Sequence, residues 1–512
     1  MSNDNHNSKR IAKNTIILYI RMLFLMFISL YTSRVILDGL GIEDYGIYNV
    51  VGGVVSMFTM ISGALNASIS RFITYELGAG NLTKLKQTFS ASVTIQFILS
   101  AILILFAETI GLWFLNNKLV IPSSRMFAAN IVYQLSITTL VVNLISVPYN
   151  ACIIAHEKMS AFAYMSLFDG ISKLLVAYFI TIATIDHLIL YAILLTVISI
   201  VNRLVYGWYC NQKFVECHFQ LVFNNRILKS MFSFAGWNMV GATSAVLRDH
   251  GGNIIINMFF GPSVNSARGV ALQVSSAIHG FVSNFQTAMN PQIMKSYAAG
   301  DIEYMTKLVY QGAKFSYFIL FFLALPVFVN AEYILNIWLV EVPMHSVTFL
   351  RLIIIFTLFE SLSGPLLTTN YATGIVKKYQ IVVGGLQMLN LPLAYICLKI
   401  GMIPETIFVV AIVMSFICMV ARLIILKPIA NISPGFFLGK IFCVTTLVSI
   451  LSTVPPLFVS NYIDTNIYSF VFLCLICVCS SATSIVFVGC TRDEIRILTK
   501  MYRKVINRLL YK

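Results

Sequence analysis

The chain has 512 residues, 58% of them hydrophobic and only 11% charged, and carries a formal net charge of +15. Soluble globular domains hold about 25% charged residues, so this composition excludes a soluble enzyme or a soluble binding module. The apolar runs continue over about 18 or more residues without the period-two alternation of a lipid-facing strand, which excludes a membrane β-barrel.

In chain order the pattern predicts an all-α polytopic membrane protein with fourteen transmembrane helices. They are centred near Phe24, Phe58, Leu99, Leu140, Ala177, Ser199, Val246, Ala277, Phe321, Phe359, Met388, Met414, Ser449 and Leu475. Residues 1–13 are expected to form a cytoplasmic tail whose polar beginning, Met1 to Asn7, is disordered. The first apolar run, "NTIILYIRMLFLMFISLYTSRVIL", is too long for a signal-peptide core and lacks a small-residue cleavage site, so it is expected to stay as an anchor. Residues 14–212 hold six spans, 213–229 a cytoplasmic linker, 230–428 six more spans, and 429–490 spans thirteen and fourteen. In the final segment, 491–512, Ile495, Leu498, Tyr502, Val505 and Leu509 share one helical face, with Arg496, Lys500, Arg503, Lys504 and Arg508 elsewhere around it. This reads as an amphipathic helix on an anionic membrane surface, with a solvated basic tail as the alternative.

Lys84, Lys86, Lys158, Lys213, Arg226, Lys229, Lys295, Lys307, Lys377 and Lys378 all fall on the side of the N-terminus. The opposite side holds Lys118 and Arg125 as its cations, with Asp38, Glu43, Asp44, Asp186, Glu341, Glu405 and Asp464 there or at its edge. The positive-inside rule therefore places both termini in the cytoplasm. The same asymmetry accounts for much of the positive charge, so basicity gives no reason to invoke nucleic acid.

Chemistry-bearing motifs are scarce. Cys474, Cys477 and Cys479 form "CLICVC" inside span fourteen, where thiolates would sit in hydrocarbon, and they read as small packing residues. No His-Glu-x-x-His, Gly-x-Ser-x-Gly or Gly-x-x-x-x-Gly-Lys pattern occurs, so neither an enzyme nor a cofactor is expected. Sliding the chain by 220 positions pairs "GLGIEDYGIYNVV" with "FFGPSVNSARGVA" and "YELGAGNLTKLKQ" with "SYAAGDIEYMTKL". Gly41 then meets Gly261, and Ala79-Gly80 meets Ala299-Gly300, at matching points of two six-span units. An even number of spans gives both copies one orientation, with spans thirteen and fourteen outside the repeat.

The 6 + 6 + 2 layout, with "LGIEDYGIYNVVGGVVSMF" after the first span and "FFGPSVNSARGVALQVSSA" between spans seven and eight, resembles bacterial polysaccharide flippases of the O-antigen and capsule type. These belong to the multidrug/oligosaccharidyl-lipid/polysaccharide exporter superfamily. The resemblance covers nearly the whole chain. It implies two pseudo-symmetric six-helix bundles around a central cavity lined mainly by spans one, two, seven and eight, in the bacterial inner membrane. It also implies a transporter that moves undecaprenyl-pyrophosphate-linked oligosaccharides outward by alternating access. Fourteen spans suffice for a cavity within one chain, so a monomer is expected, with a polysaccharide polymerase as a candidate partner.

Charged residues within the spans test that implication, because an ionised side chain at the bilayer centre costs roughly 2.5–3.5 kcal/mol on insertion scales. Arg21 and Arg34 belong to span one, Arg248 and Asp249 to span seven, and Arg268 to the start of span eight. An arginine fork suits a pyrophosphate, so Arg21, Arg34, Arg248 and Arg268 are the candidate substrate-binding residues. For Arg21, Arg34 and Arg268 snorkelling to the interface is the competing reading. Asp169 and Lys173, at i and i+4 in span five, read as a structural pair. Asp249, His250 and Glu360 are the candidate ion-coupling groups for a proton or sodium gradient, against a permanent salt bridge for Asp249 and one interhelical hydrogen bond for Glu360. His279 reads as a packing residue.

Within "SAVLRDHGGNIIINMFF", Gly251 and Gly252 are expected to break span seven and free backbone N–H groups that, with Arg248, hold an anion. Two other functions fit the same spans. A cation-coupled multidrug exporter of the same superfamily would need acidic groups in the cavity, and span one offers arginines instead. A membrane polysaccharide polymerase would need a long outer loop, and none is visible.

Overall fold

The computed structural model describes residues 2–56, 59–118, 121–218, 225–338, 342–463, 466–492 and 494–495. The centre expected at Phe58 and the amphipathic tail beyond Ile495 lie outside them. Among the described residues every regular element is a helix. Eleven helices among the described residues are long and apolar enough to cross a membrane. Span one is Arg10–Ser29, and spans three to six are Leu82–Asn117, Ser123–Ala155, Met159–Ile182 and His187–Lys213. Spans nine to fourteen are Ile302–Val329, Ser346–Thr373, Val376–Lys399, Thr406–Ala430, Pro434–Ser460 and Ile467–Gly489.

Span two is helical on both sides of residues 57–58, and spans seven and eight are helical but carry more polar residues. Span two follows a break at Gly41, whose φ of 74° and ψ of 169° suit glycine, and continues through Thr59–Gly78. Spans seven and eight share the helical run Asn225–Ala298 of 74 residues. A straight helix of that length would measure about 110 Å, against ~30 Å of hydrocarbon. The run folds back on itself: Arg268 Nη1 donates to Asn253 Oδ1, atoms that a straight helix would hold about 22 Å apart along its axis. Pro262, which lacks an N–H, stands between them. At the other end of the chain the helix begins at Ser2, correcting the expectation of a disordered start.

The 220-position repeat has a backbone counterpart. Gly80 and Gly300 both adopt left-handed φ, 70° and 80°. Each precedes an N-cap, Asn81 or Asp301, whose side chain accepts from the amide three residues on, Lys84 or Tyr304, at 3.0 Å in both cases. Asn81 N–H reaches Glu76 O at 3.3 Å, and Asp301 N–H reaches Ser296 O at 2.9 Å, again 220 positions apart.

The chain divides into two compact units, one of residues 13–242 with 297–300, the other of residues 1–12, 243–296 and 301–512. In the first unit two apolar clusters form. Val35, Leu40, Tyr133, Ile137, Ala177 and Ile198 belong to one, and Ile69, Phe89, Leu144, Cys152, Met165 and Cys210 to the other. Along spans four, five and six the residues between these clusters are polar.

Candidate functional site

That polar layer encloses a pocket of about 570 Å³. Span four lines it with Thr139, Asn143, Ser146 and Asn150, span five with Phe162, Ser166, Asp169 and Lys173, and span six with Leu195, Ser199, Asn202 and Tyr206. Each set advances by four, three and four residues, which keeps it on one helical face, so three faces converge. Span one adds Arg21, and Tyr48 closes another side.

The charges in this pocket are unequal. Asp169 is held by Lys173 Nζ at 2.7 Å, the pair read from the sequence, and by Asn202 Nδ2 at 2.7 Å on its other oxygen. Arg21 lies with its guanidinium 4.4 Å above the Phe162 ring, and its Nε and Nη1 are buried without a hydrogen-bond partner among the described residues. Asn150 Oδ1 is buried in the same way. Two cations and one carboxylate thus line the pocket, and the carboxylate is already paired. Leaving such donors unbonded costs about 1–3 kcal/mol each, which an anion or water in the pocket would remove.

The second unit brings Arg248 and Arg268 together. They line one recess of about 40 Å³ with Asn390, Phe356 and Phe408, and among the described side chains no carboxylate lines it. Arg248 sits 4.9 Å above Phe356, and Arg268 is buried, 5.9 Å from the Phe408 ring centre. Burial of Arg268 differs from the snorkelling alternative. The recess has room for about one water, not a pyrophosphate.

Gly251 and Gly252 do not break the helix. Asn225–Ala298 is helical through both, so their amides are not freed for an anion. Their role is close approach: a Cβ on Gly251 would lie 2.7 Å from Leu391 Cδ1, and one on Gly252 would lie 2.7 Å from Arg268 Nη2. The missing side chains make room for Leu391 and for the arginine itself. The side chains of Arg34, Asp249 and His250 lie outside the described ones.

Glu360 has interhelical partners. Ser415 Oγ on span twelve donates to its Oε1 at 2.5 Å, and Arg422, a turn or two further along that span, is within electrostatic reach. Arg422 is buried and donates to Tyr379 Oη and Ser363 Oγ, each at 2.8 Å. His279 also feels the Glu360 charge. The sequence reading passed over Arg422 and the amides of spans four to six. The three- and four-residue spacing of Asn143, Asn150, Asn202 and their neighbours was the available signal.

A third polar group joins the ends of helices. Arg125 pairs with Asp44 and, at 2.5 Å, with Asp186, while His345 Nδ1 meets Glu405 Oε1 at 2.5 Å. Arg125 and His345 are 220 positions apart, and Asp186 and Glu405 match to within one residue. Burial alone would raise the Asp186 carboxyl. Hydrogen bonds from Arg125 and the Ile189 amide, with the Arg125 charge, outweigh it and hold the group below the ordinary aspartate range.

Helices in two repeated sets, joined by short turns and enclosing polar pockets within apolar spans, have the fold of a multi-pass membrane transporter. Residues 252–396 match the MatE family model. The structure resembles a solved MATE in its bent conformation, with a TM-score of 0.71 and 12% identity over 83% of this chain and 96% of that one. It also resembles the outward-facing conformation of a multidrug resistance MATE family transporter of the MOP superfamily, with a TM-score of 0.68 and 12% identity over 82% and 96% of the two chains. A MOP superfamily transporter from Pyrococcus furiosus, described as having a binding pocket of reverse polarity that suggests a different function, matches with a TM-score of 0.67 and 12% identity over 82% and 96%. No curated protein matches by sequence. The chain has the MATE transporter fold, and the proteins that share it are transporters, not enzymes.

Proposed function

We propose that this protein flips undecaprenyl-pyrophosphate-linked oligosaccharide repeat units from the cytoplasmic to the outer leaflet of the bacterial inner membrane, by alternating access, for O-antigen, capsule or a related surface polysaccharide. The observation that carries this reading is Arg21, an arginine with unbonded buried donors in a pocket of about 570 Å³ whose lining also holds amides, hydroxyls and the paired Asp169 and Lys173. An arginine fork suits a phosphate, and amides and hydroxyls suit a sugar. The recess of Arg248 and Arg268, without a carboxylate among its described lining residues, supports the same polarity, and its side chains must separate before a pyrophosphate could reach them. Arg34 completes the proposed substrate-binding set. The Pyrococcus furiosus neighbour, by its description, makes a change of pocket polarity within this fold a reasonable expectation here.

Glu360, Asp249 and His250 are the proposed coupling groups to a proton or sodium gradient, and the protein works as a monomer beside a polysaccharide polymerase. A cation-coupled drug exporter is the second reading, favoured by the multidrug neighbour. It requires an available carboxylate, and Asp169 is tied to Lys173 and Asn202.

The test is deletion of the gene with scoring of lipid-linked repeat units. They are expected to accumulate on the cytoplasmic side and to be cleared by wild type. Arg21→Ala should fail to clear them, and Arg248→Lys should be impaired less than Arg248→Ala. No accumulation, together with increased drug sensitivity of the deletion strain, would overturn the reading in favour of a drug exporter.

A further inference from the structure

The first unit holds a cluster of sulfur and carboxylate that the transport reading does not use. Cys152 stands in the last turn of span four, Ser123–Ala155, and Cys210 near the end of span six, His187–Lys213. The short turn Val215–Cys217 then carries Glu216 and Cys217 back against them. All four residues are buried: Cys152 and Cys210 are 0% exposed, Cys217 1% and Glu216 3%. The ligand atoms of Cys152, Glu216 and Cys217 lie within 4.8 Å of one another. Cys210 belongs to the same buried cluster, and its thiol donates to Tyr149 O at 3.5 Å.

The surroundings add to this convergence. His156, one turn after Cys152, stacks on Phe214 with ring centres 4.2 Å apart and brings Nε2 within 2.5 Å of Glu216 Oε1. It holds the carboxylate by one oxygen. An imidazole that fixes a ligating carboxylate is a common outer partner of a metal site. Lys86 and Arg203 act electrostatically on Glu216 and Cys210, so an anionic set of ligands would have countercharge. Four-coordinate zinc with bonds to sulfur of about 2.3 Å holds its sulfurs about 3.8 Å apart, within the 4.8 Å that already spans the ligand atoms of Cys152, Glu216 and Cys217.

We propose that Cys152, Cys217 and Glu216, joined by Cys210 once its thiol turns from the Tyr149 carbonyl, form a four-coordinate site for a thiophilic divalent metal, zinc first, with His156 orienting the carboxylate from outside. The metal fastens the ends of spans four and six to the beginning of the 213–229 segment, with the thiol protons released to solvent on binding. With the orientation expected from the positive-inside rule, this end faces the reducing cytoplasm, where metal-bound thiols persist and a disulfide does not.

The full chain, purified in detergent under reducing conditions without chelator, is expected to carry about one zinc per chain by elemental analysis. Cys152→Ser and Cys217→Ser should lose it, and Cys474→Ser, outside the cluster, should keep it. Because the serine variants could fail to fold, wild type is also stripped and given cobalt. A thiolate-to-cobalt absorption band should appear, zinc should abolish it, and zinc should raise the melting temperature. Wild type with neither zinc nor a cobalt band overturns the proposal, as does a folded Cys217→Ser variant that retains full zinc, or a Cys152–Cys217 or Cys210–Cys217 disulfide found in cells.

Discussion

Gly251 and Gly252 show how a residue's meaning depends on what stands opposite it. In a helix interior an alanine in place of glycine is worth about 1 kcal/mol of stability when nothing else changes. Gly236 meets nothing within 4 Å of a built Cβ, so Gly236→Ala should hold or raise the melting temperature. At Gly251 the new Cβ would come within 2.7 Å of Leu391, and Gly251→Ala is expected to destabilise by about 1–3 kcal/mol, read as a lower melting temperature in detergent. Gly252→Ala should displace Arg268 and reduce clearance of lipid-linked intermediates. If both substitutions stabilise, the close packing assigned to this pair is wrong. Arg21 follows the same logic, because its importance lies in its unbonded donors and the space before them.

Between helices, the two repeats have reached similar ends with different residues. Arg125 with Asp44 and Asp186 ties together the ends of helices in the first unit, and His345 with Glu405 occupies the matching positions in the second. A carboxyl held below its ordinary range contributes its full stabilisation above that range and loses it as pH falls through the lowered value. The melting temperature is therefore expected to stay level from neutral pH to the ordinary aspartate range and to fall below it, as far as Asp186 contributes. Arg125→Ala should lower it already at neutral pH and shrink the acid-side fall. An unchanged pH profile in Arg125→Ala would show that the clasp contributes nothing. Helix periodicity made these elements legible, and the Gly-Asn and Gly-Asp turns were visible in "GAGN" and "AAGD". The clasp was not legible, because its partners, Asp44, Arg125 and Asp186, are separated by more than 50 residues and have no local periodicity.

For the whole molecule, orientation and energy coupling are the open predictions. A reporter fused after Lys512 should be active only in the cytoplasm, and activity on the outer side would reverse the proposed topology. If Glu360 couples transport to a gradient, Glu360→Gln should leave gradient-independent flipping in vesicles and abolish its acceleration by the gradient. A loss of all flipping with a lower melting temperature would instead assign Glu360 to the Ser415–Arg422 network as a structural member. Spans seven and eight carry Arg248, Arg268 and several amides and hydroxyls within their apolar runs, and the flippase reading places them on a watered path, so their composition agrees with that reading.

The sequence by itself determined the solvent, the helical class, the number of spans and the repeat. Lipid accepts only segments that satisfy their own backbone, so every crossing must appear as a local apolar run. Tertiary structure alone decided which charges are already answered. It joined Asp169 to Lys173 and Asn202, gave Glu360 a partner in Ser415, and left Arg21 facing a pocket. It turned two supposed helix breakers into points of close approach and gathered Cys152, Cys210 and Cys217 from separate segments. Hydrogen bonds, ion pairs and ligand sets depend on distances of a few ångströms between residues remote in the chain, and no local pattern in the sequence records them.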